Sequence, residues 1–315
     1  MSASAADRRI RSLRPAKHRF DPYSAHGAIV EDERRPDGGI ERALTVFLAG
    51  AECPFTCAFC DLWRWTVDGP TQAGALAKQL RAVLGSLEGP MPDRLKLYNA
   101  SNFFDPRAVP ADDIPEIAKM SASFAAVTVE SHANTIGPPT LAFARQIPGK
   151  LEVAVGLETI HPIAAGQLNK RLDLARFDRA AAFLTDNGID LRVFVLLGAP
   201  YVDAHESVAW TLRTVEYAVE RGASVVSIIP VRGGNGELER LAALGHFTPP
   251  ILSQLEDALD TCLQFKSAVV TADVWDAGQL SACEHCKPKR IERLQVVNLR
   301  GHWEPRVACT ECGGA

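Results

Sequence analysis

The stretch Ala51-Glu-Cys53-Pro-Phe-Thr-Cys57-Ala-Phe-Cys60-Asp-Leu-Trp63 places three cysteines at the spacing C-x3-C-x2-C. It follows the apolar run 44–48, which predicts a strand that leads directly into the cysteine loop. Iron–sulfur clusters are held by cysteine thiolates, and a four-iron cube that takes three thiolates keeps one iron open. An open position distinguishes reactive metal sites from structural ones. The loop therefore predicts a reactive [4Fe–4S] centre, with zinc ligation and buried free thiols as the alternatives.

This cysteine loop resembles that of the radical S-adenosylmethionine (SAM) superfamily. Phe59 strengthens the resemblance, because family members carry an aromatic or apolar residue at this place, near the adenine of SAM. The resemblance implies that SAM chelates the open iron through its amino and carboxyl groups. It also implies that one electron from the cluster cleaves SAM to methionine and a 5′-deoxyadenosyl radical, which abstracts a hydrogen atom from the substrate.

The composition is that of a soluble globular protein. Apolar residues make up 47% of the 315 residues and charged residues 23%, and the net charge of −4 excludes a strongly basic molecule that binds nucleic acid by bulk charge. Seven of the eight cysteines fall in tight clusters, which indicates metal ligation in a reducing compartment rather than disulfides. We expect a cytoplasmic protein without a membrane partner, since the chain shows no signal core and no run of about 18 apolar residues.

Strands and helices alternate after the cysteine loop, which predicts an α/β fold with a parallel sheet and right-handed crossovers. The resemblance implies a partial (β/α)6, TIM-like barrel at 43–276, preceded by a basic arm and lead-in at 1–42 and followed by a four-cysteine segment at 277–315. Residues 28–48 are expected to form a hairpin, and the first few residues are expected to be disordered. Predicted strands are 44–49, 94–98, 125–130, 151–157, 190–197, 224–230 and 268–275; predicted helices are 71–86, 172–186, 204–220 and 248–265, the last beginning at the Thr248-Pro cap.

Polar residues follow several of these strands, at the end where barrel enzymes hold their chemistry. For SAM, the resemblance implies contacts from the loop after the second strand, from Gly-Leu-Glu after the fourth, from Asn-Lys-Arg, and from the strand-five segment against adenine. The relatives' Gly-Gly-Glu is replaced here by Ala100-Ser101. The predicted cofactor-binding residues are Phe59, Asn99, Ser101, Asn102, Glu158, Asn169 and Leu197.

Four further strand-end residues are candidates for facing a substrate. Glu130 and His132 follow the third strand, Arg232 lies in the glycine-rich loop after the sixth, and Asp276 follows the seventh. A guanidinium group at Arg232 suits an anionic substrate group. A structural role is the alternative for each of them, above all for the single histidine.

Two C-x2-C pairs near the end of the chain, Cys283/Cys286 and Cys309/Cys312, predict a second metal site. Paired knuckles favour zinc, and we expect a zinc ribbon with a strand at 291–297 between them. An auxiliary iron–sulfur cluster, which also takes four cysteines, is the alternative.

The order of the motifs, from Arg-Pro-Ala-Lys at residue 14 to the last cysteine pair, resembles the radical SAM partner of archaeosine synthase and its relatives. It is similar, more distantly, to the radical SAM domain of the elongator catalytic subunit. The resemblance implies modification of a tRNA nucleobase, with a transglycosylase-like partner subunit and a flavodoxin or ferredoxin as electron donor. The basic stretches Arg8–Arg19 and Lys287–Arg293 could hold the RNA. The alternatives are a radical SAM enzyme for a small metabolite or peptide, and a non-catalytic zinc-ribbon RNA-binding protein with a degenerate barrel.

Overall fold

The computed structural model describes residues 4–313. Its centre is one eight-stranded sheet in which the strands lie side by side in chain order. β1 pairs antiparallel with β2, and the strands from β2 to β8 are all parallel. The strands are β1 (Gly27–Arg34), β2 (Ile40–Phe47), β3 (Arg94–Tyr98), β4 (Ala126–Ser131), β5 (Lys150–Glu158), β6 (Asp190–Leu197), β7 (Ala223–Pro230) and β8 (Val269–Ala272).

Most of the helices connect successive parallel strands. They are α1 (Ala5–Leu13), α2 (Ala75–Gly85), α3 (Asp113–Met120), α4 (Pro138–Ala144), α5 (Ala164–Gln167), α6 (Leu174–Asp186), α7 (Ser207–Glu220), α8 (Glu237–Ala243), α9 (Leu252–Cys262) and α10 (Lys287–Arg300). Short 3-10 helices occupy Leu62–Trp65, Ser121–Ser123, Ala133–Thr135 and Ala277–Leu280. None of the helices in the described part of the chain is long and apolar enough to cross a membrane.

The sheet is curled, and its two faces differ. The outer face is apolar and packs against the helices, with residues such as Leu97, Val129 and Val193 almost completely buried. On the inner face, Arg192 of β6 lies 3.1 Å from Glu33 of β1, although β2, β3, β4 and β5 separate these strands along the sheet. Such a contact requires the sheet to curve around an interior. The α/β half-barrel predicted from the sequence is therefore confirmed.

Helix α10 closes the seam between the two edge strands of the half-barrel. It packs against both β1 and β8. Its Asn298 side chain accepts a hydrogen bond from the backbone N–H of Ala272 and donates one to the carbonyl of the same residue, each at 2.8 Å. The amide thus occupies the position that a neighbouring strand would have. The lumen is closed on this side by a helix instead of by a backbone ladder.

The expected strand at 291–297 is wrong, because this segment lies within α10. Ile291, Leu294 and Val297 are spaced three residues apart, so they share one face of the helix, and Gly301 ends it with a φ of 68°. The segment between the cysteine pairs is therefore helical, and the zinc-ribbon fold is not found. Helix α9 likewise begins at Leu252, four residues after the expected cap at Thr248.

The N-terminal part differs from the expected loose arm. The predicted hairpin is present as β1 and β2. Residues 1–3, for which disorder was expected, lie outside the described residues. From Ser4 onward the chain forms α1, which begins with a reciprocal capping box between Ser4 and Asp7. Ile10 buries its side chain on the barrel, at 3% exposure. The domain limits 1–42, 43–276 and 277–315 stay predictions.

Candidate active site

The cysteine loop lies at the carboxyl end of β2, the end at which barrel enzymes hold their chemistry. Cys53, Cys57 and Cys60 are half-buried. A set of side chains that binds one metal ion has all its ligand atoms close together. Within residues 4–313, the sulfurs of these three cysteines do not all lie within 4.8 Å of one another. At least one pair of these sulfurs is therefore more than 4.8 Å apart.

The three thiols lie in a desolvated environment. Burial raises the pKa of Cys53, raises that of Cys57 to about 12 and raises that of Cys60 well above its ordinary value. Burial has this effect because the charged thiolate loses its hydration. Metal binding must displace the thiol protons, so cluster assembly on this loop is coupled to proton release.

Backbone contacts fix the end of the cysteine loop. The N–H of Ala58 donates to the carbonyl of Leu168 at 2.9 Å. The side chain of Asn235, in the loop between β7 and α8, donates to the carbonyl of Ala58 at 2.9 Å and to that of Cys60 at 3.3 Å. Asn235 is nearly completely buried. The sequence carries no signal for this role of Asn235, because its partners are about 175 residues away in the chain.

Asn102 contacts a candidate ligand directly. Its Nδ2 donates to the sulfur of Cys53 at 3.4 Å, while its Oδ1 accepts the backbone N–H of His132 at 2.8 Å. A hydrogen bond to a ligand sulfur orients it and adjusts the reduction potential of the cluster it holds. The residue predicted to bind SAM therefore lies against the cysteine loop.

His132 is occupied by contacts within the protein. Its Nδ1 accepts the backbone N–H of Asn134 at 3.1 Å, and its Nε2 lies 3.0 Å from the carbonyl of Lys170. This pair of contacts requires the neutral tautomer with the proton on Nε2. Burial lowers the pKa of His132 to about 3, and Phe55 of the cysteine loop stacks on its ring at 4.1 Å. His132 supports this loop, and its substrate-facing role stays a prediction.

Glu130 organises the loop after β3. Its carboxylate accepts the backbone N–H of Asn99 at 2.8 Å and is also hydrogen-bonded to the backbone at Ala100 and Ser101. Burial raises the pKa of Glu130 to about 7 in spite of these bonds. The carboxylate thus anchors the loop that lies beside the cysteines, and its catalytic role stays a prediction.

Two side chains of this loop have polar atoms that no described residue satisfies. Asn99 is completely buried, and both its Nδ2 and its Oδ1 lack a hydrogen-bond partner; the same is true of the hydroxyl of Ser101. Leaving a buried polar group unpaired costs about 1–3 kcal/mol. These atoms therefore fit a role in binding a polar ligand, and they lie in the segment where the family resemblance places the contacts to SAM.

Glu158 and Lys170 form a buried ion pair near the cysteines. Lys170 Nζ lies 2.7 Å from Glu158, which ends β5 at a register shift with a φ of 70°. Burial opposes the charge of Lys170, but Glu158 and the thiols of Cys57 and Cys53 raise its pKa overall. A cation at this position stabilises thiolates. The glycine at position 156 leaves space for this pair, since a Cβ there would overlap Glu158 Oε1 and lie 2.7 Å from Lys170 Nζ.

Helix α1 is tied to the cysteine loop through Asp7. The carboxylate of Asp7 accepts hydrogen bonds from the hydroxyl of Thr56 and from Asn169 Nδ2, the latter at 3.0 Å, and pairs with Arg171. Asn169 Nδ2 also donates to the carbonyl of Thr56 at 2.9 Å. Burial opposes ionisation of Asp7, but hydrogen bonds from Thr56, Asn169 and Ser4 lower its pKa overall. Asn169, predicted to contact SAM, therefore holds the loop, and Thr56 and Asp7 are positioning residues that the sequence analysis missed.

Phe59 and Leu197, the two residues predicted to lie near the adenine of SAM, are on different sides of the sheet. Phe59 is half-buried, and Lys170 Nζ lies 6.0 Å from the centre of its ring. Leu197 is completely buried in the helix-side core. Leu196 packs instead in the apolar cluster that contains Ala58 and borders Phe59. Alternation along β6 thus places Leu196, not Leu197, on the side of the cysteine loop.

Arg232 lies at the rim of the lumen, and Asp276 lies outside it. Arg232 pairs with Asp273 at 2.9 Å and also donates to the carbonyl of Trp275. Its Nε is buried and has no partner within residues 4–313. Asp276 is exposed, with a φ of 56°, directly before the 3-10 helix Ala277–Leu280.

The four C-terminal thiols converge as predicted. The sulfurs of Cys283, Cys286, Cys309 and Cys312 all lie within 4.8 Å of one another. The separations are 3.9 Å between Cys283 and Cys309 and 3.7 Å between Cys286 and Cys312. Four sulfurs about 2.3 Å from a zinc ion at the centre of a tetrahedron lie about 3.8 Å apart. The donor set therefore fits one tetrahedral ion.

Sequence comparisons find no matching family model and no similar curated protein. Structural similarity is clearer. Elp3 from the archaeon Methanocaldococcus infernus matches with a TM-score of 0.53 and 14% identity over 76% of this chain and 63% of that one. A radical SAM methyltransferase from Sphaerobacter thermophilus matches with a TM-score of 0.50 and 16% identity over 80% and 77%. The chain has the fold of radical SAM enzymes.

The radical SAM fold is what this similarity establishes, since the identities are low. The chain spans 63% of the length of the Elp3 structure, so the activity of that whole protein is not transferred by the match. The contacts around the cysteine loop of this chain are the α1 anchor at Asp7, the Asn102 bond to a cysteine sulfur and the Lys170 cation.

The basic stretches expected to bind RNA are largely engaged in ion pairs. In the N-terminal stretch, Arg9, Arg14 and Lys17 pair with Glu237, Glu52 and Asp68. In the C-terminal stretch, Lys287, Arg290 and Arg293 pair with Glu284, Glu256 and Asp260. Arg293 is buried, so it joins α10 to α9 rather than facing solvent. The electrostatic reason for an RNA surface is weaker than the sequence indicated.

Proposed function

We propose that the chain is a radical SAM enzyme in which Cys53, Cys57 and Cys60 hold a [4Fe–4S] cluster. The observation that supports this best is the position of the three thiols: they lie on one loop at the carboxyl end of the first parallel strand, in a half-barrel with the fold of radical SAM enzymes. Reductive cleavage of SAM by one electron is the chemistry that this group supplies when bound.

The residues of this chain have supporting tasks in the proposal. Asn99 and Ser101 offer unsatisfied polar atoms to SAM, and Phe59 offers an apolar face. Asn102 orients the sulfur of Cys53. Lys170 compensates the negative charge of the thiolates while Glu158 keeps it protonated. The protein thereby binds and orients the cofactors and excludes water, and the cofactors carry the difficult step.

Anaerobic reconstitution tests this proposal. The protein should take up about four irons on the loop and cleave SAM to 5′-deoxyadenosine under reducing conditions. Cys57→Ala should abolish both. Cys262→Ala is the matched control, because this cysteine is a buried free thiol at the last residue of α9, in the core cluster, and its replacement should leave both unchanged. Cleavage in Cys57→Ala would refute the assignment, and no cleavage in the wild-type protein would favour a non-catalytic scaffold.

We also propose that the four C-terminal thiols bind one zinc ion. The support is their tetrahedral spacing of 3.7–3.9 Å. Elemental analysis should find about one zinc per chain, and Cys309→Ala should lose it while the loop cluster is retained. About eight irons and no zinc would instead establish the auxiliary cluster.

For the substrate we retain an RNA nucleobase as the proposal, with a small metabolite as the alternative. A tRNA, a transglycosylase-like partner subunit and a flavodoxin or ferredoxin donor remain the proposed partners. Since Arg290 and Arg293 are structural, the better test removes the exposed cations Arg11, Arg19 and Lys289. Binding of bulk tRNA should weaken steeply with salt and in this triple variant. If tRNA does not bind at low salt, with or without the partner, the small-metabolite alternative replaces this proposal.

A further inference from the structure

The inner face of the half-barrel is chemically layered. Its lowest tier, near the amino ends of the strands, consists of ion pairs. Arg192 bonds to Glu33 at 3.1 Å and to Glu152 at 2.8 Å, and Lys96 also pairs with Glu33. These charges satisfy one another across the interior. The charged side chains at the floor of the lumen are therefore neutralised without an ionic group from a ligand.

A tier of aromatic rings lies directly above this floor. Phe47, Tyr98 and Phe194 each follow the polar inner-face residue of their strand by two positions, toward the carboxyl end. The ring centres are 6.5 Å apart between Phe47 and Tyr98 and 6.4 Å apart between Tyr98 and Phe194. Trp275, after β8, lies 5.2 Å from Phe47. Since Tyr98 and Phe194 come from β3 and β6, they meet across the lumen.

This tier is accessible to solvent, which core aromatic residues are not. Phe47, Tyr98 and Phe194 are half-buried and keep some access to solvent, and Trp275 is 38% exposed. On the outer face, the core ring of Phe177 is completely buried. Burial raises the pKa of Tyr98, because the charged phenolate would lose its hydration there. A deep position with residual access to solvent is what the wall of a binding cavity requires.

Hydrogen-bonding groups occupy the rim above the rings. Arg232 and Asp273 form an ion pair at 2.9 Å, and the buried Nε of Arg232 has no partner within the described chain. Burial raises the pKa of Asp273, although Arg232 opposes this. The rim thus presents a donor and an acceptor next to each other, a pattern that complements the polar edge of a heterocycle.

We propose that the lumen binds a planar heteroaromatic ring of the substrate. The ring stacks on Phe47, Tyr98 and Trp275, and its polar edge bonds to Arg232 and Asp273. This proposal rests on the proposed function, because it names the class of substrate that lies beneath the cysteine loop. An aliphatic amine or acid fits less well, since it would need an unpaired charge on the floor, whereas every base has a face that stacks on aromatic side chains.

The test measures binding without turnover. Saturation-transfer NMR on the full chain would use guanosine, uridine and free tryptophan as ring probes and ornithine as the aliphatic probe. Saturating S-adenosylhomocysteine is present throughout, so that ring probes cannot bind where the adenine of SAM would. We expect saturation of the ring protons of at least one ring probe and none of ornithine. Absence of any ring signal at millimolar probe, or an equal signal from ornithine, would overturn the proposal.

Variants locate the binding. Phe47→Leu should weaken ring binding by about tenfold, the loss of one stacking partner. Phe47→Tyr, which keeps the ring, should restore it. Trp303→Leu, at an exposed aromatic far along the C-terminal segment, is the control and should change nothing. Equal binding by Phe47→Leu and the wild-type protein would refute the site.

Two further measurements separate the sources of error. Phe47→Leu should still take up about four irons; if ring binding fails while SAM cleavage persists, only the substrate class is wrong. A tRNA transcript added as competitor identifies the origin of the ring. Displacement of the bound probe assigns the ring to RNA, and retention assigns it to a free small molecule; both agree with a heteroaromatic substrate.

Discussion

Replacing Asp7 by alanine should release helix α1 from the cysteine loop. The carboxylate of Asp7 is the group that connects the helix to Thr56, Asn169 and Arg171. Without it, these three groups lose an acceptor that is only 4% exposed. The apolar contact of Ile10 remains, so we expect local opening of the N-terminal segment and not global unfolding.

The size of the effect follows from the burial of the partners. Removing one member of a fully buried ion pair lowers the stability of the folded state by about 3–5 kcal/mol. Water reaches Arg171, whose side chain is 33% exposed, so we reduce this to about 2–3 kcal/mol. Such a change raises the population of the open segment by roughly 30- to 150-fold. Asp7→Asn should give a smaller effect, because the amide keeps an acceptor oxygen but loses the charge.

Limited proteolysis measures this population. Trypsin cleaves after the arginines of α1 only when the helix is open, so the cleavage rate should rise by the same factor when reclosing is fast. The control is Asp37→Ala, which removes an acid from an exposed turn. Iron loss to a chelator should also be faster in Asp7→Ala, since Thr56 lies between two candidate ligands. If Asp7→Ala is cleaved no faster than Asp37→Ala, the anchoring role is refuted.

Three other perturbations test the fold around the site. The ion pairs of Glu33 lower its pKa to about 2 although burial opposes this, so its contribution is complete above pH 4.5 and is lost as the pH falls toward 2. Urea unfolding across this range should show a smaller pH dependence for Glu33→Gln than for the exposed control Glu116→Gln. Asn298→Ala should lower the free energy of unfolding by about 1–3 kcal/mol, because it leaves backbone groups at the β8 edge unpaired. Amide hydrogen exchange at this edge should become faster. Gly156→Ala should displace the Glu158 carboxylate and Lys170, because the new Cβ would overlap Glu158 Oε1 and lie 2.7 Å from Lys170 Nζ, and iron analysis should then show lower cluster retention.

The half-barrel could be predicted because its signals are local. Each parallel strand is a short apolar run, and the cysteine loop, Asn99 and Glu158 all lie directly after such runs. The rule that chemistry lies at the carboxyl ends of barrel strands then selected loops that the structure places beside the cysteine loop. It could not select the right partners. Asn102 bonds to Cys53 across 49 residues, a pairing that depends on how two loops approach each other in space.

The errors also have physical causes. The segment 291–297 contains Val296 and Val297, which favour strands, but the spacing of its buried residues is helical and Gly301 follows as a stop. In the N-terminal arm, the count of arginines concealed a capping box and one buried isoleucine. Charge counts predicted free basic surfaces, yet acids from distant segments neutralise them. Sequence shows where cations lie in the chain but not which acids they meet.

The side-chain amide of Asn298, on α10, is hydrogen-bonded to the edge strand β8 and affects how readily chains associate at high concentration. A half-barrel has two edge strands, and an exposed edge invites pairing with the same strand of another copy, which is a route to aggregation. Asn298 occupies both hydrogen-bonding groups of Ala272, and α10 covers β1 as well. Helix α10 therefore blocks pairing of these edge strands with the strands of another copy. The four-thiol site lies at the beginning of α10, so removal of the metal proposed there should increase association between chains. Light scattering after metal removal would detect this.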